Sequence, residues 1–367
     1  MAGQVQEKVI VFGPTGYVGS VVAKTSTKYG SKVTLAMRDT NKTIRGLSAE
    51  DEKDGNYTRI QADLTKADTV SDAVKKSGAK AAFVYLAHQA TDGMASVWQA
   101  LKDGGIEFVV FLSSFTVPDK AAQMEKVDPS DHISYVHTQA ELALAKVFSE
   151  KEHVCVRPGY FATNALQQKL GILANDVRVI KPDLSFDYIT PDDMGAVAGN
   201  ILSKGQRDGQ NIVPIFGPDL LSQREAFLKI GGALDREIRV SEATDEEALA
   251  NLVAGGTPEP LAKVLVKTFR NMDGDFVSSK KLSKGQLNVE KYASRPALRL
   301  DDWVRANMDL FATEISDVAT EMPESAPEPD VVLPEDEVKE EAEADDGKEP
   351  KEGEKKTYDD AEKDGKD

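Results

Sequence analysis

"KVIVFGPTGYVGS", residues 8–20, decides the fold. Lys8 to Phe12 form an apolar run of strand length. Gly13, Gly16 and Gly19 follow, and then a helical spacing with Val18, Val21 and Val22 on one side. A strand that turns through glycines into a helix opens a dinucleotide-binding βα unit. The spacing is G-x-x-G-x-x-G. The first glycine permits the tight turn, the second lets backbone approach a pyrophosphate, and the third lets helix and strand pack closely. The helix N-terminus directs N–H groups and a positive dipole end at the anion. Pro14 and Thr15 complete the loop, with a hydroxyl from Thr15, and the backbone of Tyr17 and Val18 extends the cradle. The competing reading is a glycine turn needed only for packing.

Working outward, strand-length apolar runs recur at 32–37, 57–62, 81–87, 107–114 and 153–158, with helical spacing at 66–77, 92–103 and 133–150. Strands covered on both faces read as continuous apolar runs, and helical crossovers join parallel strands. The expected class is therefore α/β, a Rossmann-type doubly wound parallel sheet, with its core at residues 7–160. After Pro158 the rhythm loosens. Residues 188–202 read as a loop and a helix capped by Asp192 or Asp193. Residues 211–216 read as a late strand, 221–234 and 244–256 as helices, and 300–311 as one closing amphipathic helix anchored by Trp303. Residues 161–316 are expected to form a smaller substrate-covering subdomain, interleaved with the core at the sheet's carboxyl edge.

The net charge of −17 is unevenly spread. From Glu321 to Asp367 there are 20 acidic and 7 basic residues, whereas the other 320 residues carry 42 and 38. Residues 317–367 read as a disordered acidic tail, because such a composition buries too little apolar surface to offset its ordering entropy. The tail is either a solvating appendage or a contact for a protein partner. The mildly acidic remainder gives no electrostatic footprint for direct nucleic-acid binding. No apolar run is long enough to span a membrane, and the N-terminus lacks a signal-peptide pattern. The one cysteine, Cys155, lies in a strand-like apolar run and reads as a small hydrophobe rather than a nucleophile. A cytoplasmic setting fits. The four histidines are scattered along the chain, and no metal site is expected.

The second strand ends in "LAMRDTNK", residues 35–42. Arg38 stands where a guanidinium grips an adenosine 2′-phosphate, which favours NADP(H) over NAD(H). Asp39 beside it is the counter-argument, and a solvated strand-end charge is the plain alternative for Arg38. In "ADLT", residues 62–65, Asp63 is placed either to accept from an adenine amino group, with Leu64 beside the ring, or to cap the next helix.

With "FLSSFTV" (111–117), "HTQAELALAK" (137–146), "RPGYFATN" (157–164) and "ITPDDMGAVA" (189–198) added to the glycine loop and Arg38, the chain resembles the NmrA-like group of atypical short-chain dehydrogenases/reductases over residues 7–312. The resemblance implies an NADP(H)-binding Rossmann core with a small C-terminal subdomain. The group holds both reductases of carbonyls, quinones or alkene-like bonds and proteins that bind the dinucleotide to regulate partners. A ligand belongs in the crevice at the strands' carboxyl ends. There Ala87, Ser113, Gln139, Pro158, Tyr160 and Phe161 are expected on the cofactor, and His88, Ser114, Phe115 and Asn164 around the substrate.

In extended short-chain enzymes a Ser polarises the carbonyl, a Tyr donates a proton, and a Lys four residues later activates that Tyr. In this sequence Tyr135 is followed at the fourth position by Gln139. Gln hydrogen-bonds ribose hydroxyls but supplies no charge to a phenol. Tyr135 and His88 are the candidate proton donors, each weighed against a packing or loop role. His137 falls on another helix face from Tyr135. The expected function is an NADP(H)-dependent oxidoreductase reducing a small carbonyl, quinone or enone. The alternative is a non-catalytic NADP(H) sensor or transcriptional co-regulator.

Overall fold

The computed structural model describes residues 6–272 and 276–312. In chain order its strands are β1 (Lys8–Phe12), β2 (Lys32–Met37), β3 (Tyr57–Gln61), β4 (Ala81–Tyr85), β5 (Phe108–Leu112), β6 (His153–Pro158), β7 (Asp176–Val179), β8 (Ser185–Phe186), β9 (Ile212–Ile215), β10 (Leu221–Ser222) and β11 (Arg239–Glu242). Seven of them form one sheet in the order β3-β2-β1-β4-β5-β6-β9, and every pairing in it is parallel. Chain order reverses between β1 and β4, which opens a crevice at their carboxyl ends. The register aligns those ends: Phe12 pairs with Ala36, Leu112 with Val156, and Pro158 with Ile215.

Helices cover both faces. The first half contributes α1 (Tyr17–Lys28), α2 (Ala49–Lys53), α3 (Ala67–Ser77), α4 (Ala95–Gly104), α5 (Ala121–Met124) and α6 (His132–Val147). The second contributes α7 (Lys169–Leu173), α8 (Pro191–Lys204), α9 (Gln223–Ala233), α10 (Asp245–Ala254), α11 (Glu259–Asn271), α12 (Ser279–Ala293), α13 (Leu300–Ala306) and α14 (Asp309–Ala312). Val9, Val11, Val110 and Leu112 face one apolar layer with Val22, Ile201 and Val289. Their neighbours Ile10, Phe12, Val109 and Phe111 face the other, with Val74, Trp98 and Leu144. Burial of each such side chain contributes about 1.5–3 kcal/mol, so both faces of the sheet stabilise it. Two covered faces are also why these strands read as unbroken apolar runs.

A third apolar layer belongs to the later chain: Phe186, Tyr188, Phe227, Trp303 and Phe311, with Tyr17 and Tyr160 packed against it. Trp303 is buried as expected. Two expectations are corrected. The helix at 191–204 is capped by Thr190, whose side chain accepts from the Asp193 amide, with Pro191 in the first turn. The expected carboxylate cap is instead three residues inside the helix. The closing helix at 300–311 is broken, because Asn307 leaves helical geometry and its side-chain amide donates to the Trp303 carbonyl. Arg45, from the loop after β2, binds the Asn307 and Asp309 side chains beyond the break. Sequence reading also left α12 unassigned, since its buried positions, Gly285, Asn288, Val289 and Tyr292, are spread through a lysine-rich stretch. The acidic segment 317–367 lies outside the described residues. Among the described residues no helix is long and apolar enough to cross a membrane.

Candidate functional site

The loop between β1 and α1 sits at the reversal point. Gly13 has φ +67°, and a Cβ there would lie 2.4 Å from the Tyr85 ring. A Cβ on Gly19 would lie 2.1 Å from the Gly13 carbonyl oxygen. Both glycines are therefore demanded by the fold. Gly16 differs: a Cβ there would meet nothing nearer than the Gly13 oxygen at 3.5 Å. No side chain caps α1 and no acidic residue stands in its first turn. Pro14 and Val18 are buried, while Thr15 and Gly16 are half-exposed.

Three strand ends meet on one side of this loop. Arg38 is exposed, and no hydrogen bond or ion pair of its guanidinium occurs among the described residues. Arg59 holds the following segment in place, donating to the Thr40 and Lys42 carbonyls at 2.6 and 2.7 Å while gripping Glu52 with two nitrogens. Asp39 is already engaged with the Asn41 amide. Burial raises the Tyr85 pKa; Arg38 pulls it down and Asp63 pushes it up, which places both charges near this ring. Asp63 does not cap α3, whose cap position is Lys66. Its carboxylate instead accepts from the Thr65 amide and hydroxyl. Leu64 beside it is buried.

On the other side of the reversal, α6 brings Tyr135 and Gln139 to one helix face, four residues apart. Both are half-buried, and neither makes a side-chain hydrogen bond among the described residues. The loop after β4 passes directly over position 139: a Cβ on Gly93 would lie 3.2 Å from the Gln139 Cβ. Ala87, on the same loop, is buried. His88 keeps an exposed face, yet the protein around its ring lowers its pKa, with His132 adding to the effect. His137 turns inward beside Phe111, with ring centroids 6.4 Å apart. Burial, reinforced by His88 and His132, lowers its pKa to about 3. His137 is thus neutral and cannot stand in for a lysine. Although separated in sequence, His88, His132 and His137 lie close enough to act on one another. Among the described residues no group of His, Cys, Asp and Glu is arranged to hold a metal ion.

Ser113, expected on the cofactor, turns its hydroxyl into the protein. Its buried hydroxyl donates to Glu141 at 2.5 Å, inside an ion pair in which Arg157 grips Glu141 at 2.9 and 2.6 Å. This hydroxyl is committed to the protein and cannot polarise a carbonyl. Successive strand residues alternate faces, and the Ser114 hydroxyl pairs instead with that of Thr116 at 2.9 Å. Glu141 and Arg157 were missed by sequence reading, although a charge within "VCVRP" and a carboxylate among the alanines of "QAELALA" were signals of a buried pair. Cys155 is buried, which raises its thiol pKa well above the usual value and fits the hydrophobe reading.

Beyond β6 the site becomes aromatic. The Phe115 amide donates to the Pro158 carbonyl, and the Phe115 ring lies 4.4 Å from Phe276. Tyr160 stacks on Phe186 at 4.1 Å and meets Tyr188, Phe269 and Phe276 edge-on. Phe115, Tyr160 and Phe276 are only half-buried, so part of their surface stays open. Tyr160, Asn164, Tyr188 and Phe269 also line a small cavity behind this wall. Burial raises the Tyr160 pKa, and Asn164 opposes it, so the phenol stays protonated. Phe161 bridges to Ile189 through backbone. Asp187, also missed, holds the loops after β6 and β9 together. Its two carboxylate oxygens accept from the Tyr160 and Gly217 amides at 2.7 and 2.8 Å.

Residues 13–204 match a family model described as NAD(P)H-binding. A nitrogen metabolite regulation-like protein, bik4, of Gibberella fujikuroi is 33% identical over 321 residues, which cover 83% of this chain and 97% of that protein. A (4-alkanoyl-5-oxo-2,5-dihydrofuran-3-yl)methyl phosphate reductase of Streptomyces griseus is 26% identical over 307 residues, 83% of this chain and 100% of that one. Among solved structures, an NADPH-dependent quinone oxidoreductase of Escherichia coli complexed with NADPH gives a TM-score of 0.61 at 17% identity, covering 82% of this chain and 99% of that chain. That last likeness is one of fold.

Proposed function

Because the chain belongs to the NAD(P)H-binding family and, within it, to the NmrA-like atypical short-chain dehydrogenases/reductases, we propose that it is an NADP(H)-dependent reductase of a small planar carbonyl, quinone or enone. The observation that carries this reading is the placement of two unengaged polar side chains, Tyr135 and Gln139, at the same sheet edge as the half-open Phe115–Tyr160 aromatic wall.

The residues present fit a dinucleotide. Gly16 is a glycine that no protein contact requires, which suits backbone approach by a pyrophosphate at an uncapped helix N-terminus. Arg38 would take the 2′-phosphate, and Asp63 with Leu64 would flank the adenine. Gln139 and the Ala87 loop would hold the nicotinamide ribose, with Pro158 and Phe161 beside it. The bound dinucleotide supplies the hydride, and the protein supplies orientation and exclusion of water. Tyr135 would hydrogen-bond the acceptor oxygen, Ser114 would line the same pocket with its hydroxyl shared with Thr116, and His88 would relay a proton.

A second reading, a non-catalytic NADP(H) sensor, is favoured by one observation: position 139 is Gln, which would hydrogen-bond a ribose but brings no charge to Tyr135. Titration of wild type and Arg38→Ala with NADPH and NADH tests the cofactor assignment. A charged hydrogen bond contributes about 1.5–3 kcal/mol, so the variant should lose about tenfold or more in NADPH affinity and little for NADH. Equal loss for both overturns the assignment. NADPH oxidation with a panel of quinones, enones and azo dyes separates the two readings: intact NADPH binding with no turnover leaves the sensor.

A further inference from the structure

Lys281 is a half-buried lysine that neither the cofactor reading nor the helix of Tyr135 uses. It sits on α12, which packs against β9 and α8. Its ammonium reaches across to β5's carboxyl end and donates to the Phe115 carbonyl at 3.1 Å. It stands 5.9 Å from the Phe115 ring centroid, at the edge of the aromatic wall. Asp119 is a loose partner at 3.9 Å, mostly exposed and shared with Arg157 at 3.2 Å.

An ammonium has three donors. One is used on the Phe115 carbonyl, and Asp119, its carboxylate partner among the described residues, lies too far for a good hydrogen bond. The cation is nevertheless held in a fixed place, since the carbonyl it binds belongs to the residue after Ser114. Burial lowers the Lys281 pKa, Asp119 raises it, and Arg157 and Lys284 lower it further. The charge is therefore carried at a cost that an incoming anion would relieve. The other polar groups of the site bring no permanent cation: Tyr135, Gln139 and Ser114 are uncharged types, and the surroundings of His88 favour its neutral form.

Resting on the reductase reading for the location of the substrate, we propose that the Lys281 ammonium is the anion-recognising group of the site. It selects planar aromatic acceptors that carry a carboxylate or an equivalent anionic oxygen. The aromatic wall would take the ring face, and Lys281 the anionic edge.

The test is calorimetric titration of the full chain, saturated with NADP⁺, using 2-naphthoate and the uncharged 2-naphthamide. Naphthoate should bind wild type at least tenfold more tightly than Lys281→Met, and Lys281→Arg should stay within threefold of wild type. Naphthamide should bind all three alike. Asp119→Asn, an exposed change that removes the competing carboxylate, should tighten naphthoate severalfold and gives an independent check if Lys281→Met does not fold. Three results overturn the proposal: no naphthoate binding by wild type, equal naphthoate affinity in Lys281→Met, or parallel loss of both probes. If the naphthoate pattern holds while no acceptor oxidises NADPH, the reductase reading fails and the cationic site stands.

Discussion

Gly16 and Gly19 stand three residues apart in one loop, yet their neighbours give them opposite roles. A methyl on Gly19 collides with the backbone oxygen of Gly13, whereas a methyl on Gly16 enters space that the protein leaves open. Gly19→Ala should therefore lower the melting temperature sharply. Gly16→Ala should melt within a few degrees of wild type and lose about tenfold or more in dinucleotide affinity, a loss of about 1.4 kcal/mol. Thermal melts and NADPH fluorescence titrations on the two variants check this; equal melting temperatures would contradict it. The glycine loop was legible in the sequence because its spacing is local. The direction of Ser113 was not. Ser113 and Ser114 are the same residue type side by side, and only the structure shows that Ser113 joins the buried Glu141–Arg157 pair while Ser114 pairs with Thr116.

At the scale of elements, that pair joins α6 to β6. Arg157 is 1% exposed and Glu141 5%. Removing one member strands the other charge in the interior, at a cost of about 3–5 kcal/mol, whereas replacing both with apolar residues is often neutral. Glu141→Gln should lose most of that amount in urea unfolding, and Glu141→Leu with Arg157→Met should be more stable than either single change. A Glu141→Gln shift below about 1 kcal/mol would show that the pair is not what holds α6 to the sheet. The six leading strands were legible because two covered faces make unbroken apolar runs. The α12 helix was not, since few of its positions are buried and its lysines mask their spacing. For that reason Lys281 was also overlooked: its place beside Phe115 is set by a contact spanning 166 residues.

For the molecule as a whole, Asp187 governs a pH dependence. It is 1% exposed, with no ion pair among the described residues. Burial raises its pKa from 3.8 to about 7, against the pull of the Gly217 and Tyr160 amides. A carboxyl whose pKa is raised on folding binds its proton more tightly in the native state. Its stabilising contribution is fully present below about pH 4 and is lost as pH rises through about 7. Across that window the loss is on the order of 4 kcal/mol. The stability of wild type minus that of Asp187→Asn should therefore fall from pH 4 to pH 7; denaturant midpoints at each pH measure it, and a flat difference contradicts it. We further propose that the division at residue 160 is one of role: residues 7–160 serve the cofactor, and 161–316 cover the substrate.

That division is not one of folding, and β9 shows why. The matched segment 13–204 ends before β9, at residues 212–215, pairs along the outer side of β6. In a fragment ending at residue 204, β6 would become the sheet's border, with its backbone amides and carbonyls unsatisfied and apolar side chains on both faces. A bare, flat, apolar edge of that kind recruits another strand, most readily from a second copy of itself. Four residues of the half assigned to the substrate thus cover this edge of the dinucleotide-binding half.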